Sequence, residues 1–170
     1  MKGKHHIIVQ NSRVKFEFDL KRNITIVRGD SATGKTTLVS LIDTYDRLGS
    51  DSGIEISCDK RCLTINNSNW ESVLNSVSDC IIFIDEENTI VKSDDFARKI
   101  QDTDNYYVII TRENLPNLPY SVEEVYGIHT SRRYADLRRT YNSFYQLYIA
   151  EEKKTDEATE LVIVEDSNSG

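Results

Sequence analysis

One short segment constrains this chain more than any other. Gly29 and Gly34 enclose four residues, and Lys35 and Thr36 follow at once. Before the segment, the apolar run Ile24–Val27 predicts a β-strand. After it, apolar residues recur at the three- and four-residue spacing of one helix face. The chain is therefore expected to pass from a strand through a glycine-containing loop directly into a helix.

This segment matches the Walker A phosphate-binding pattern in full. Backbone N–H groups of such a loop surround phosphate oxygens, and the positive end of the helix dipole adds to the attraction. Lys35 is expected to contact the β- and γ-phosphates, and the Thr36 hydroxyl is expected to bind Mg²⁺. The expected nucleotide-binding residues form one continuous run: Gly29, Asp30, Ser31, Ala32, Thr33, Gly34, Lys35, Thr36 and Thr37.

A second candidate group follows the apolar run 81–84, where the chain continues with Asp85, Glu86 and Glu87. Carboxyl ends of parallel strands meet at one edge of a sheet, so Asp85 is expected to face the phosphate loop. Asp85 is then a candidate Mg²⁺ ligand, through water. Glu86 is a candidate to orient or deprotonate an attacking water, and Glu87 is expected in solvent.

Together, residues 29–36, Asp85-Glu86 and the polar residue Thr111 after the next strand resemble the motifs of P-loop NTPases. The branch they resemble is the ABC/AAA-like one, with Walker A, Walker B and a catalytic glutamate. The resemblance covers residues 6–128 and implies an α/β fold, with a mostly parallel central sheet flanked by helices. It also implies an N-terminal antiparallel β-hairpin. Lys35, Glu86 and Thr111 would be catalytic, and ATP and Mg²⁺ would be the cofactors.

The function expected from this resemblance is hydrolysis of Mg-ATP to ADP and phosphate, which would drive or gate a partner. No LSGGQ-like signature lies between Thr36 and Asp85. The alternative is therefore a non-hydrolysing, nucleotide-dependent switch or scaffold, for example in a phage-defence-type ATPase–nuclease system. A small-molecule kinase is a further alternative, but the sequence offers no arginine-rich lid. Residues 111–114 depart from the guanine-reading pattern, which favours adenine.

Charge and composition argue against two classes of binding partner, nucleic acid and membranes. The chain carries 28 acidic against 21 basic residues, a net charge of −7, which disfavours non-specific binding to nucleic acid. No apolar run approaches the ~18–20 residues that span a bilayer, so no membrane association is expected. Three cysteines, an odd number, fit a reducing cytoplasm. Besides ATP, a homo-oligomer or a separate partner protein is left open.

The chain is expected to divide into a P-loop ATPase domain over residues 1–150 and a charged linker with a short acidic strand or tail over 151–170. That tail could begin a second domain. Residues 132–148 combine arginines with apolar residues at helical spacing, which predicts an amphipathic helix on the sheet. The alternatives for the arginines are a finger offered to a neighbouring subunit, or a small nucleic-acid face. These arginines are Arg132, Arg133, Arg138 and Arg139.

Overall fold

The computed structural model of the protein describes residues 3–28, 34–131 and 139–148. In these ranges the chain forms nine β-strands and three α-helices. The strands are β1 (His5–Gln10), β2 (Val14–Leu20), β3 (Ile24–Val27), β4 (Glu55–Ser57), β5 (Cys62–Thr64), β6 (Ile81–Ile84), β7 (Tyr106–Ile110), β8 (Val125–Ser131) and β9 (Thr140–Gln146). The helices are α1 (Lys35–Leu48), α2 (Trp70–Ser76) and α3 (Asp94–Gln101).

All nine strands belong to one sheet, in the order β4-β1-β2-β9-β8-β3-β7-β6-β5. Strands β8, β3, β7, β6 and β5 run parallel to one another. Strand β1 is antiparallel to both β2 and β4, while β9 is antiparallel to β8 and parallel to β2. Strand β9 therefore joins the N-terminal hairpin to the parallel strands within a single sheet.

The expected P-loop NTPase fold, a mostly parallel sheet flanked by helices, is wrong. The described residues form a small, curled, mixed sheet of nine strands with three helices. The N-terminal antiparallel hairpin itself is present, with His5 opposite Leu20 and Gln10 opposite Lys15. The expectation failed because the hairpin extends the sheet through backbone hydrogen bonds, and β4 and β9 extend it further. Short strands of this kind give little periodic signal in a sequence.

Residues 140–146 also differ from the expectation. The predicted amphipathic helix over 132–148 is wrong, since Thr140–Gln146 forms strand β9. Tyr141, Phe144 and Tyr145 are aromatic residues that favour strands, and pairing with both β8 and β2 outweighs the helical spacing. Within this stretch, residues 132–138 lie outside the described residues, and so do three of the four arginines.

The sheet curls around helix α1. Leu38, Leu41 and Ile42 of this helix are buried in one core with apolar side chains from the hairpin, from β4's neighbourhood and from the parallel strands. Helix α1 contacts β1, β4, β5 and β6, which include both terminal strands of the sheet. The helix begins after Gly34, whose φ of 89° suits glycine, and it ends at Gly49 with φ of 63°.

A second core covers the outer face of the parallel strands. Alternate residues of these strands, such as Ile82 and Ile109, pack there against Leu74 of α2 and Phe96 of α3. Helix α3 begins after Ser93, whose hydroxyl accepts a hydrogen bond from the Phe96 N–H at 3.1 Å. The four residues of β6 and the five of β7 are buried on both faces, as their continuous apolar runs indicated.

Within the ranges that the structure describes, no helix combines the length and the apolar character needed to cross a lipid bilayer. The linker and acidic strand expected over residues 151–170 lie outside the described residues, so that division of the chain stays a prediction.

The burial of α1 gives a first testable prediction. Leu38 is fully buried, whereas Leu48 at the end of the same helix is 53% exposed. We expect Leu38→Ala to lower the free energy of unfolding by about 2–5 kcal/mol, because it removes buried surface and leaves a cavity. Leu48→Ala, the matched control, should change it by about 0.5 kcal/mol or less. Urea denaturation measures both, and equal losses would contradict the enclosed position of α1.

Candidate functional site

The candidate site lies where three adjacent parallel strands end. Strand β7 lies between β3 and β6, with Val27 opposite Ile110 and Ile84 opposite Ile109. The Thr111 N–H donates to the Val27 carbonyl at 3.1 Å, which extends this pairing past the end of β7. We call the residues that follow these three strands, namely Arg28, 85–88 and 111–114, the carboxyl edge.

Helix α1 starts beyond this same edge, because the chain leaves β3 there and enters the helix at Lys35. Lys35 is only 4% exposed, while Thr36 and Thr37 are exposed on the first turn. Gly34 lies against the hairpin, since a Cβ at this position would stand 3.4 Å from the Phe16 ring. A side chain here would therefore combine an unfavourable φ with a tight contact.

The other five residues of the expected loop, which are Gly29, Asp30, Ser31, Ala32 and Thr33, lie outside the described residues. The described residues therefore include the last three positions of the Walker A pattern, Gly34, Lys35 and Thr36. In that part, the described helix begins where the sequence predicts, at the Lys-Thr pair.

Asp85 and Glu86 occupy a tight turn directly after β6. One Asp85 carboxylate oxygen accepts the Glu86 N–H at 2.9 Å, and the Asp85 carbonyl accepts from Asn88, through its backbone N–H at 3.2 Å and its side-chain amide at 3.1 Å. Asn88, which is 7% exposed, also accepts the Asn67 N–H at 3.1 Å. The buried Asn88 therefore holds the turn through hydrogen bonds to its backbone. The Asp85 carboxylate is partly exposed, and Glu86 is exposed.

Thr111 and Arg112 lie beside this turn, as parallel pairing of β6 and β7 requires. Thr111 is 6% exposed, and its hydroxyl accepts the Glu113 N–H at 3.0 Å. The hydroxyl proton is still available as a donor. The Arg112 guanidinium lies 3.7 Å from the Glu86 carboxylate, in a pair whose side chains are 54% and 38% exposed. Such an exposed pair contributes little to stability and can open readily.

Arg28 and Asn88 of the carboxyl edge were not among the site residues predicted from the sequence. Arg28 donates through Nη2 to the Asn114 side chain at 2.8 Å and to the Glu113 carbonyl at 3.3 Å. Its Nε is buried with no hydrogen-bond partner among the described residues. Asn88 holds the Asp85 turn. The sequence signal for Arg28 was its position directly before Gly29, the first residue of the expected phosphate loop. No local sequence pattern indicated the role of Asn88.

The donor set of the expected metal site suits Mg²⁺. This ion is usually held in proteins by one or two carboxylates together with substrate phosphates and water. Asp85 offers a partly exposed carboxylate, and Thr36 offers an exposed hydroxyl on the first turn of α1. Among the described residues no group of three or more His, Cys, Asp or Glu side chains could hold a metal by itself. A site that depends on substrate phosphates for its remaining ligands would not form such a group.

The arginines predicted near the C-terminus are represented by Arg139 alone in the described residues. Arg139 donates through Nη1 to the Gln10 side chain at 3.0 Å, at the end of β1. This contact joins the residue before β9 to the end of β1, and it tests neither the arginine finger nor the nucleic-acid face. The roles considered for Arg132, Arg133 and Arg138 stay predictions.

Neither a scan against models of known protein families nor a search of the curated proteins finds a match for this sequence.

The turn after β6 gives a second prediction. Asn88→Ala leaves the Asn67 N–H without its acceptor and removes one of the donors to the Asp85 carbonyl, both in a largely buried place. We expect a loss of about 1–3 kcal/mol in the free energy of unfolding, the range for an unsatisfied buried polar group. The neighbouring exposed residue supplies the control, Thr89→Ala, which should change stability by about 0.5 kcal/mol or less. If thermal and urea unfolding give the two variants the same stability, Asn88 does not hold the turn.

Proposed function

We propose that the chain binds Mg-ATP at the carboxyl edge and hydrolyses it to ADP and phosphate, in a cytoplasmic setting. The observation that carries the proposal is the order of three adjacent parallel strands and of the residues that follow each of them. Strand β3 is followed along the chain by α1, which begins with Lys35 and Thr36. Strand β7 pairs with β3 and is followed by Thr111, and β6 pairs with β7 and is followed by Asp85 and Glu86. These residue types are those that bind phosphate, bind Mg²⁺ and activate water.

The proposed binding step uses the start of α1. The Lys35 ammonium neutralises negative charge on the β- and γ-phosphate oxygens, while the helix N-terminus adds its own positive end. The unpartnered Nε of Arg28 supports the proposal, because a phosphate beside the loop that follows it would satisfy this buried donor. The acidic net charge of the chain does not oppose binding, since a local cluster of cations determines the field in such a site.

Thr36 and Asp85 would hold the metal in this proposal. Mg²⁺ bound there supplies neutralisation of charge on the transferred phosphate. One Asp85 carboxylate oxygen accepts the Glu86 N–H, while the partly exposed carboxylate has a second oxygen that could bind the metal. Thr111 donates its hydroxyl proton toward a γ-phosphate oxygen, while its oxygen continues to accept the Glu113 N–H.

Glu86 is the proposed general base. Its carboxylate would accept a proton from the attacking water, or orient that water in line with the scissile bond. In the described structure Glu86 pairs with Arg112 at 3.7 Å. The pair must open, or share the carboxylate with water, before Glu86 can act. The guanidinium so released would lie beside the γ-phosphate, where a positive charge stabilises the transition state.

The same ion pair favours a second candidate function, a nucleotide-dependent switch that hydrolyses ATP negligibly. A Glu86 carboxylate that stays bound to Arg112 cannot activate water. In that case ATP binding alone would report to a homo-oligomeric or separate partner. The two candidates differ in turnover and agree in nucleotide binding, so one set of variants distinguishes them.

Glu86 and Lys35 give the third prediction. We expect Glu86→Gln to keep Mg-ATP affinity within about threefold and to lower turnover by a factor of about 10²–10⁴, since the amide cannot accept the proton. Glu87→Gln changes a neighbouring exposed carboxylate in the same way and should leave both quantities unchanged. Lys35→Ala should abolish binding. Isothermal titration calorimetry with Mg-ATP and steady-state phosphate release measure the two quantities.

Each outcome assigns one candidate. Binding with turnover that disappears in Glu86→Gln supports hydrolysis at this site. Binding without turnover in the unsubstituted chain supports the switch. Binding that Lys35→Ala leaves intact, or turnover that Glu86→Gln leaves intact, overturns the proposed site.

A further inference from the structure

A pair of cysteines lies at the opposite end of the parallel strands from the carboxyl edge. Strands β4 and β5 are the two terminal strands of the sheet, yet they are consecutive in the chain and only residues 58–61 connect them. Cys58 follows the last residue of β4, and Cys62 is the first residue of β5. We call residues 58–62 the cysteine corner.

The two sulfur atoms contact the backbone of the same residue. The Cys58 Sγ accepts the Lys60 N–H at 3.5 Å, and the Cys62 thiol donates to the Lys60 carbonyl at 3.8 Å. The tight turn thereby brings both side chains to one place. Two thiols that contact one residue of the same turn are candidates for a disulfide, which forms only when the two sulfur atoms can come within bonding distance.

The two thiols differ in exposure. Cys58 is partly exposed and lines a surface cavity of about 440 Å³, together with Lys60, Arg61 and Tyr45. Cys62 is 5% exposed, and Cys80, the third cysteine, is 6% exposed. Cys62 also lines this cavity, but its small exposed area makes Cys58 the thiol that a small reagent in solvent reaches more readily.

The surroundings of Cys58 also affect its ionisation. The neighbouring Cys62 side chain lowers the pKa of the Cys58 thiol, with the Lys60 N–H adding to the effect. The same contact, together with burial, raises the pKa of Cys62. Asp59 opposes the Cys58 thiolate: its carboxylate accepts a hydrogen bond from the Cys58 thiol at 3.6 Å and also contacts His5 at 2.9 and 3.0 Å. The other nitrogen of His5 contacts the Tyr106 hydroxyl at 2.9 Å, which anchors this arrangement to β7.

We propose that Cys58 is a modification site for peroxides and other small soft electrophiles, and that Cys62 resolves oxidised Cys58 to a Cys58–Cys62 disulfide. This inference stands apart from the proposed nucleotide site, since it uses the other end of the strands. All three cysteines are free thiols in the structure, which corresponds to the reduced form of the proposed Cys58–Cys62 pair.

The chemistry balances in two steps with hydrogen peroxide as the oxidant. The Cys58 thiolate attacks one peroxide oxygen, the O–O bond breaks, and Cys58 sulfenic acid and hydroxide form. The Cys62 sulfur then attacks the Cys58 sulfur and displaces its hydroxyl, which leaves with the Cys62 proton as water. The protein has lost two hydrogen atoms, and the peroxide has been reduced to two molecules of water.

The disulfide would link the ends of the two terminal strands of the sheet. It would close a short loop, from position 58 to 62, so its direct effect on the stability of the fold is small. Its effect is local: the thiolate disappears from the cavity, and the corner can no longer open. A device of this kind makes the surface at Cys58 sensitive to the redox state of a reducing compartment.

The experiment uses the full chain in its reduced form, and it gives the fourth prediction. Iodoacetamide at neutral pH should label Cys58 about tenfold faster than Cys62 or Cys80, because the rate follows exposure and thiolate content. Hydrogen peroxide should then give a product lighter by two hydrogens, with a 58–62 link in the peptide map. Dimedone should trap sulfenic acid at Cys58 in Cys62→Ser, and nothing in Cys58→Ser. Cys80→Ser is the matched control and should behave as the unsubstituted chain.

Two results would overturn the proposal. One is labelling of Cys58 no faster than that of Cys80 in the unsubstituted chain. The other is a peroxide product whose disulfide includes Cys80, or no disulfide where sulfenic acid has formed at Cys58. Both are read in the unsubstituted protein, so they hold even if a buried Cys62→Ser variant fails to fold.

Discussion

Helix α1 packs Leu38, Leu41 and Ile42 into the hollow of the curled sheet, and both the fold and the candidate site depend on this contact. Each fully buried side chain of this size contributes about 1.5–3 kcal/mol. The helix contacts both terminal strands, so it supports the curl as well as the core. Its first residues are Lys35 and Thr36, and its burial therefore determines where the proposed phosphate ligands stand.

The sequence predicted most of the single elements, because their signals are local. The apolar runs of β3 and β6 and the helical spacing after Gly34 each depend on a few neighbouring residues. The assembly of those elements was predicted wrongly. Whether the hairpin extends the sheet depends on its pairing with β9, more than a hundred residues away, and the aromatic residues of β9 had been assigned to a helix.

The candidate site divides in the same way. Lys35 and Thr36 were predicted from the Walker A pattern, and Asp85, Glu86 and Thr111 from their positions after apolar strands. The described strands bring the last three to one edge. The partners that hold them were not predicted. Asn88, which holds the Asp85 turn, accepts from Asn67, which is 21 residues away in the chain, and no short sequence pattern encodes this contact. Thr111 accepts from the nearby Glu113 N–H. The two thiols at the cysteine corner differ in exposure, because the turn between the terminal strands buries Cys62 and leaves Cys58 partly exposed.

The most direct test of the central claim is hydrogen–deuterium exchange of the full chain with and without saturating Mg-ATP. The account predicts slower exchange at the start of α1 and at the turns after β6 and β7, over residues 34–37, 85–88 and 111–114. It also predicts unchanged exchange at the cysteine corner, residues 58–62. Exchange that stays unchanged along the whole carboxyl edge, or slows only at the cysteine corner, would contradict the claim that nucleotide binds where these strands end.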